Sequence, residues 1–260
     1  MKVVILAGGY GTRLGEETSI RPKPMVEIGG KPILWHIMKH FSHFGFNEFV
    51  ILLGYKGEMI RDYFVNYKRN NSDVTIYSSG GSNLYGGYKS PPPFSSVELI
   101  DTGENSLTGT RIKKAIESIG ANCFFLTYGD GVCDVDLNKV IGHHEHQNSL
   151  VTLTSVRPHG RFGCLHFGID SGKVESFVEK PKAEKDWING GYMVCNPEVF
   201  DYMPYENFSF EEVVLAKLSM LNKVSAYKHD GFWHSMDTLK DKNDLEKMWR
   251  EGNAPWKVWE

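Results

Sequence analysis

The chain has 260 residues, 41% of them hydrophobic and 23% charged, and its 29 Lys and Arg against 32 Asp and Glu give a formal net charge of −3. That size and balance fit one ordinary α/β domain, which buries about three quarters of its unfolded surface. There is no basic stripe and no block of like charge, so nucleic acid and anionic membranes are not expected as partners, and small anions are. The N-terminal Met-Lys leads directly into a strand with no cleavable apolar segment, and no stretch approaches the length of a membrane span. Cys123, Cys133, Cys164 and Cys195 form no C-x-x-C pair, and are expected to be free thiols in a reducing cytoplasm rather than disulfides or zinc ligands.

In chain order, Val3 to Ala7 reads as a buried strand, Pro32 to Phe44 as a helix with Pro in its first turn, Phe49 to Leu53 as a strand and Gly57 to Tyr67 as a helix. Further strands are expected over Asp73 to Ser78, Val97 to Ile100, Cys123 to Thr127, Ser149 to Val156, Cys164 to Ile169 and Gly190 to Cys195, with a helix from Gly109 to Ile119 and another from about Thr238 to Trp249. Such alternation predicts a mostly parallel sheet covered by helices on both faces, with its ligand crevice at the carboxyl ends of the strands. Ser79 to Pro93, rich in Gly, Ser and Pro, shows no periodicity and reads as a mobile loop or excursion. The tryptophan-bearing tail after the last helix is expected to pack on the same chain or on a neighbour.

The most informative segment follows the first strand. Leu6-Ala7-Gly8-Gly9-Tyr10-Gly11-Thr12-Arg13-Leu14-Gly15 reads as a glycine-rich loop whose backbone N–H groups converge on anionic oxygens, with Arg13 adding a permanently charged fork. The dinucleotide fingerprint is excluded because Leu14 stands where its third glycine belongs, and the P-loop because Gly30-Lys31 runs into Pro32. Arg21-Pro22-Lys23-Pro24-Met25 holds a lysine between two stiffening prolines, ten residues beyond Arg13, and reads as a phosphate ligand; taken alone it would be an ordinary solvated lysine.

Tyr128-Gly129-Asp130-Gly131 sets Asp130 at the carboxyl end of an apolar strand, flanked by glycines, as an open ligand for a hard cation. Magnesium takes one or two carboxylates plus phosphate oxygens and water, and Met236-Asp237-Thr238 offers the second, although Asp237 is equally placed to cap the helix after it. Val178-Glu179-Lys180-Pro181 and Ile188-Asn189-Gly190-Gly191-Tyr192 read as a set for hydroxyls and phosphate, or as a plain hairpin with a surface Glu-Lys pair. His143, His144 and His146 lack metal-ligand spacing and read as structural.

These motifs occur together in one order, and LAGGYGTRL, RPKPM, YGDG, VEKP, INGGY and MDT resemble the sugar-nucleotidyltransferase family over essentially the whole chain. The longer strings KPMVEIGGKPILWHIMKH, ILLGYKG, DTGENSLTGTR and FWHSMDTLKDK, and the ending APWKVWE, are similar to its branch that uses CTP and glucose 1-phosphate. The resemblance implies a Rossmann-like core with small sugar-binding and C-terminal appendages, in which residues 1–135 mainly hold nucleotide, 136–229 mainly sugar phosphate, and 230–260 form the metal-ligand loop and C-terminal helix and tail. It implies that Leu6, Ala7, Gly8, Gly9, Gly11, Thr12, Arg13, Lys23, Ser106, Thr108, Gly109, Arg111 and Gly129 face the nucleotide, with Arg13 and Lys23 catalytic. Asp130 and Asp237 would hold Mg2+, and Glu179, Lys180, Asn189 and Gly190 would face the sugar phosphate. A homo-oligomer is also implied. The base remains open to UTP, dTTP or GTP, and the acceptor to another phosphorylated compound.

Overall fold

The computed structural model describes residues 1–78, 83–158 and 187–260, with the backbone of 164–167 and 174–178. Eight strands make the central sheet: β1 (Val3–Ala7), β2 (Glu48–Leu53), β3 (Ser96–Asp101), β4 (Phe124–Tyr128), β5 (Val151–Val156), β6 (Ile188–Asn189), β7 (Met193–Cys195) and β8 (Val224–His229). β1 is parallel to β2 and β4, with Val3 opposite Phe49 and Phe125, and β3 extends the sheet parallel to β2. β7 runs antiparallel between β4 and β5, which also pairs antiparallel with β6 and parallel with β8. The expected mostly parallel sheet is therefore present, with a reversed strand inside it.

All five residues of β1 are buried, as an unbroken apolar run requires when helices cover both faces. Its alternate residues enter different cores. Val3, Ile5 and Ala7 pack with Ile33, Leu34, Ile37 and Phe41 of α1 (Ile33–His43), Ile60 of α2 (Gly57–Val65) and Val140 of α4 (Leu137–Gln147). Val4 and Leu6 pack with Ile112 of α3 (Thr108–Lys114) and Phe124. Each such side chain contributes about 1.5–3 kcal/mol relative to exposure, so a one-residue slip of β1 would be prohibitive.

α5 (Leu239–Arg250) opens on a capping box in which Thr238 and Asp241 satisfy each other's backbone N–H groups. Thr238, not Asp237, is thus the cap. The tail beyond α5 folds back onto its own chain: Trp256 is fully buried, its ring stacked with Phe232 at 5.5 Å and Trp249 at 6.3 Å between centroids. Trp249 in turn covers Gly29, where a Cβ would come within 1.9 Å of the indole nitrogen.

Three expectations are corrected. The strand expected over Gly190 to Cys195 is broken, because Gly191 and Tyr192 take positive φ values of 77° and 47°. Within Ser79 to Pro93, Leu84–Tyr88 is a strand paired antiparallel with Ser72–Thr75; residues 79–82 lie outside the described residues. The helix expected over Gly109 to Ile119 is interrupted at Ala115, leaving α3 and a separate short helix at Ile116–Ile119. A ribbon that the sequence did not signal pairs Gly131–Cys133 with Trp233–Ser235. His144 is structural, its ring 2.8 Å from Thr152 Oγ1 and 3.2 Å from Asn196 Oδ1. Cys123, Cys133 and Cys195 are free, and the Cys164 side chain lies outside the described residues. No helix among the described residues is long and apolar enough to cross a membrane.

Candidate active site

At the carboxyl ends of β1 and β4 the chain encloses a cavity of about 450 Å3. Its walls are Leu6 through Arg13, Lys23 and Pro24, the segment Glu104 to Thr108 with Arg111, and Tyr128 to Asp130. The structure thereby gathers Leu6, Ala7, Gly8, Gly9, Gly11, Thr12, Arg13, Lys23, Ser106, Thr108, Arg111, Gly129 and Asp130 around one space. Gly11 takes φ 63°, and a Cβ there would lie 2.9 Å from Thr18 Cγ2 and 3.1 Å from Lys23 Cβ, so this glycine lets the loop and the lysine approach.

Lys23 is the electrostatic centre. It is only 8% exposed, and its Nζ donates to Asp130 Oδ2 at 2.6 Å and to Asp237 Oδ1 at 2.7 Å. Arg13 reaches Asp237 Oδ1 at 3.2 Å with a side chain that is 67% exposed, and Ser235 Oγ donates to Asp237 Oδ2 at 3.2 Å. The Gly131–Cys133/Trp233–Ser235 ribbon joins the two aspartates, helped by the Met236 N–H donating to the Asp130 carbonyl at 2.8 Å. Burial opposes the charged form of Lys23, but the two carboxylates outweigh it and its pKa lies above the ordinary value. Burial likewise raises the Asp237 carboxyl, yet Lys23 and Arg13 bring it below the usual carboxylate range.

Arg111 is 4% exposed, and its fork is occupied by the protein. Nη1 donates to Leu53 O at 3.0 Å, Thr102 Oγ1 at 2.7 Å and Gly103 O at 2.8 Å, while Nη2 donates to Gly8 O at 2.9 Å and Glu104 O at 3.0 Å. It fastens two walls of the cavity to each other. Gly8 faces it without a Cβ, which would stand 2.2 Å from Nη1. Gly109 is outside the cavity lining, packed where a Cβ would meet Phe208 at 2.1 Å.

Asn189 is linked to the cavity through Tyr128, to whose hydroxyl its Nδ2 donates at 3.0 Å. Gly190 accepts from Trp233 Nε1 at 2.9 Å. Glu179 and Lys180 lie outside the described residues. Tyr10, Glu104 and Asn105 also line the cavity, and Tyr10 joins two walls by donating to Asn105 Oδ1 at 2.7 Å. Glu104 and Asn105 stand in the Asp101-Thr102-Gly103-Glu104-Asn105-Ser106 string beside the residues singled out, and that adjacency was the available signal.

As a cation site, Asp130 and Asp237 present oxygen donors that one ammonium already bridges, next to a cavity with room for phosphates. Two hard protein ligands with the remainder left to phosphate and water suit magnesium's coordination habit. Among the described residues no group of three or more His, Cys, Asp and Glu is placed to hold a metal by itself.

A glycine-rich strand-end loop, paired cations and paired carboxylates on a doubly wound sheet define a nucleotide-transferring enzyme, and the chain belongs to the nucleotidyl transferase family, whose profile matches residues 2–247. Among its relatives, the glucose-1-phosphate cytidylyltransferase of Salmonella typhi is 48% identical over 261 residues, covering the whole of both chains. The solved structure of HddC from Yersinia pseudotuberculosis complexed with GMP-PN is 28% identical with a TM-score of 0.66, covering 95% of this chain and 99% of its own. A UDP-glucose pyrophosphorylase complexed with UDP-glucose shares the Rossmann-like fold at a TM-score of 0.67 and 16% identity, covering 96% of this chain and 98% of its own.

Proposed function

We propose that the chain converts CTP and α-D-glucose 1-phosphate to CDP-glucose and pyrophosphate. The observation that carries the reading is geometric: Lys23 stands between Asp130 and Asp237 beside a cavity walled by the glycine loop. The full-length likeness to a cytidylyltransferase supplies the base and the sugar.

A phosphate oxygen of glucose 1-phosphate attacks the α-phosphorus of CTP, a new P–O bond forms, and the bond to the β-phosphate oxygen breaks as pyrophosphate leaves. No protein nucleophile is needed, and the chain's contribution is positioning and charge. The glycine loop offers backbone N–H groups to the triphosphate. Lys23 and Arg13 offer cations where charge accumulates on the non-bridging and leaving oxygens. Asn189 and Gly190 are assigned to the sugar phosphate, as are Glu179 and Lys180 on the sequence resemblance alone.

Enzymes of this family generally use a divalent metal, and here Asp130 and Asp237 would hold Mg2+. When bound, the ion would neutralise phosphate charge and polarise the phosphoryl oxygens. Lys23, within hydrogen-bond reach of both aspartates, would offer its ammonium to the phosphates beside that ion.

The reading includes a homo-oligomer in the cytoplasm with residues 1–135, 136–229 and 230–260 divided as expected. Exposed Val74, Ile76, Leu84 and Tyr85 on and beside the Ser72–Thr75/Leu84–Tyr88 pair support association between copies. The three free cysteines agree with a reducing compartment. Mass spectrometry of a reaction containing CTP, glucose 1-phosphate and magnesium tests the reaction: CDP-glucose is expected, and unchanged substrates would refute it.

A further inference from the structure

Glu211 belongs to no motif that the reaction has absorbed, yet its carboxylate is the meeting point of three hydroxyls. Oε1 accepts from Tyr128 at 2.7 Å, and Oε2 accepts from Thr108 at 2.6 Å and from Ser209 at 2.9 Å. Thr108 and Tyr128 both line the cavity, and they come from different elements: Thr108 begins α3 and Tyr128 ends β4. Tyr128 also accepts from Asn189 Nδ2 at 3.0 Å, while the Phe210 N–H donates to Thr108 Oγ1 at 2.9 Å.

Glu211 itself sits in the first turn of a π-helical segment, Phe210–Leu215, capped by Ser209. Such wide turns recur where a side chain must be aimed.

We propose that Glu211 is a positioning residue that holds the two substrate halves in register. Its Oε2 fixes Thr108 on the nucleotide side, and its Oε1 fixes Tyr128, through which Asn189 is set for the sugar phosphate. An acceptor-only carboxylate satisfies all three hydroxyls at once, whereas a neutral side chain of the same size must present an N–H to one arm. The inference rests on the reaction proposed above and adds the means by which nucleotide and sugar phosphate are held for in-line attack.

The test is steady-state kinetics of E211A, E211Q and Y128F with each substrate varied in turn, beside thermal unfolding of each variant. E211A is expected to raise KM for both CTP and glucose 1-phosphate, each by about tenfold or more, the size of a lost charge-assisted hydrogen bond. Y128F, which cuts only the Asn189 arm, is expected to raise KM for glucose 1-phosphate alone. The E211A/Y128F double variant should be no worse toward glucose 1-phosphate than E211A. If E211A fails to fold, E211Q carries the measurement with at least one KM raised.

A residue that only supports the fold would lower the active fraction, and so kcat, with both KM values fixed; that result overturns the proposal. So does a Y128F variant in which both KM values rise equally. Absence of turnover in the unaltered chain would instead refute the reaction, which keeps the two failures apart.

Discussion

Lys23 Nζ donates to Asp130 Oδ2 at 2.6 Å across 107 positions of sequence, and the same atom reaches Asp237. Two carboxylates so near each other would repel without that ammonium, and the ammonium would be costly to bury without them. The three groups therefore compensate one another and hold, beside the cavity, the charges that phosphoryl transfer calls on.

Replacing Lys23 with Met should lower kcat/KM by about two to four orders of magnitude, the range for lost transition-state charge contacts. Arg13→Ala should act comparably while leaving stability nearly unchanged, since its ion pair with Asp237 is exposed. Steady-state kinetics decides both, and a loss below tenfold removes the residue from the catalytic set. The pH dependence of the network follows from its shifts. The depressed Asp237 carboxyl adds stability above its unfolded pKa of about 3.9 that is lost as pH falls through the folded value; the raised Lys23 ammonium adds stability below about 10.4 that is lost as pH rises through its folded value.

Arg111→Lys removes a planar fork whose five bonds tie the Gly8 carbonyl, the end of β2 at Leu53 and the Thr102–Glu104 segment together. A point charge cannot span those acceptors. We expect a loss of about 2–3 kcal/mol in unfolding free energy and a raised KM for the nucleotide. Urea denaturation with an unshifted midpoint would contradict this role.

His36 and His40 are fully or almost fully buried and pushed down by that burial to about 4. In His36, Nε2 donates to Ile28 O at 2.8 Å while Nδ1 accepts from Trp256 Nε1 at 3.4 Å, an arrangement that suits the neutral ring. The unfolded ring titrates near pH 6.5, so between about 6.5 and 4 the unfolded chain binds more protons and stability falls with acidification. The slope is up to about 1.4 kcal/mol per pH unit for each ring. His36→Gln should reduce the slope of unfolding free energy between pH 6 and 5 by one ring's share; an unaltered slope would show that His36 is not the titrating group.

Trp256→Ala opens a cavity between Trp249, Phe232 and His36 at a fully buried site. A cost of about 3–5 kcal/mol is expected. Guanidinium unfolding measures it, and a cost below 1 kcal/mol would mean that the tail is dispensable to the core.

Much of this was legible in the sequence because the informative residues are local. The run Val3–Ala7 followed by glycines announces a buried strand and its loop, and Asp130 is marked by the strand before it and the glycines around it. Long-range pairing was not legible. Nothing near Gly131 signals that Trp233 to Ser235 will lie against it, although that ribbon brings Asp237 to Lys23. Leu84–Tyr88 escaped because Gly86 and Gly87 erase the alternation of a half-buried strand, and the observed strand is exposed at all five residues. Arg111 was expected at the nucleotide site from the resemblance alone, and it does line the cavity; the carbonyls that occupy its fork come from distant segments that the sequence does not place together. Glu211, in Phe208-Ser209-Phe210-Glu211-Glu212, belongs to no motif, and its hydroxyl partners Thr108 and Tyr128 are far away in sequence.

The most direct test of the central claim is pyrophosphate release with glucose 1-phosphate and magnesium, run in parallel against CTP, UTP, GTP, dTTP and ATP, with each nucleotide alone as the blank. The account predicts release with CTP far above the other four and dependent on the sugar phosphate. Release with another nucleotide in preference to CTP, or with none of the five, would contradict it.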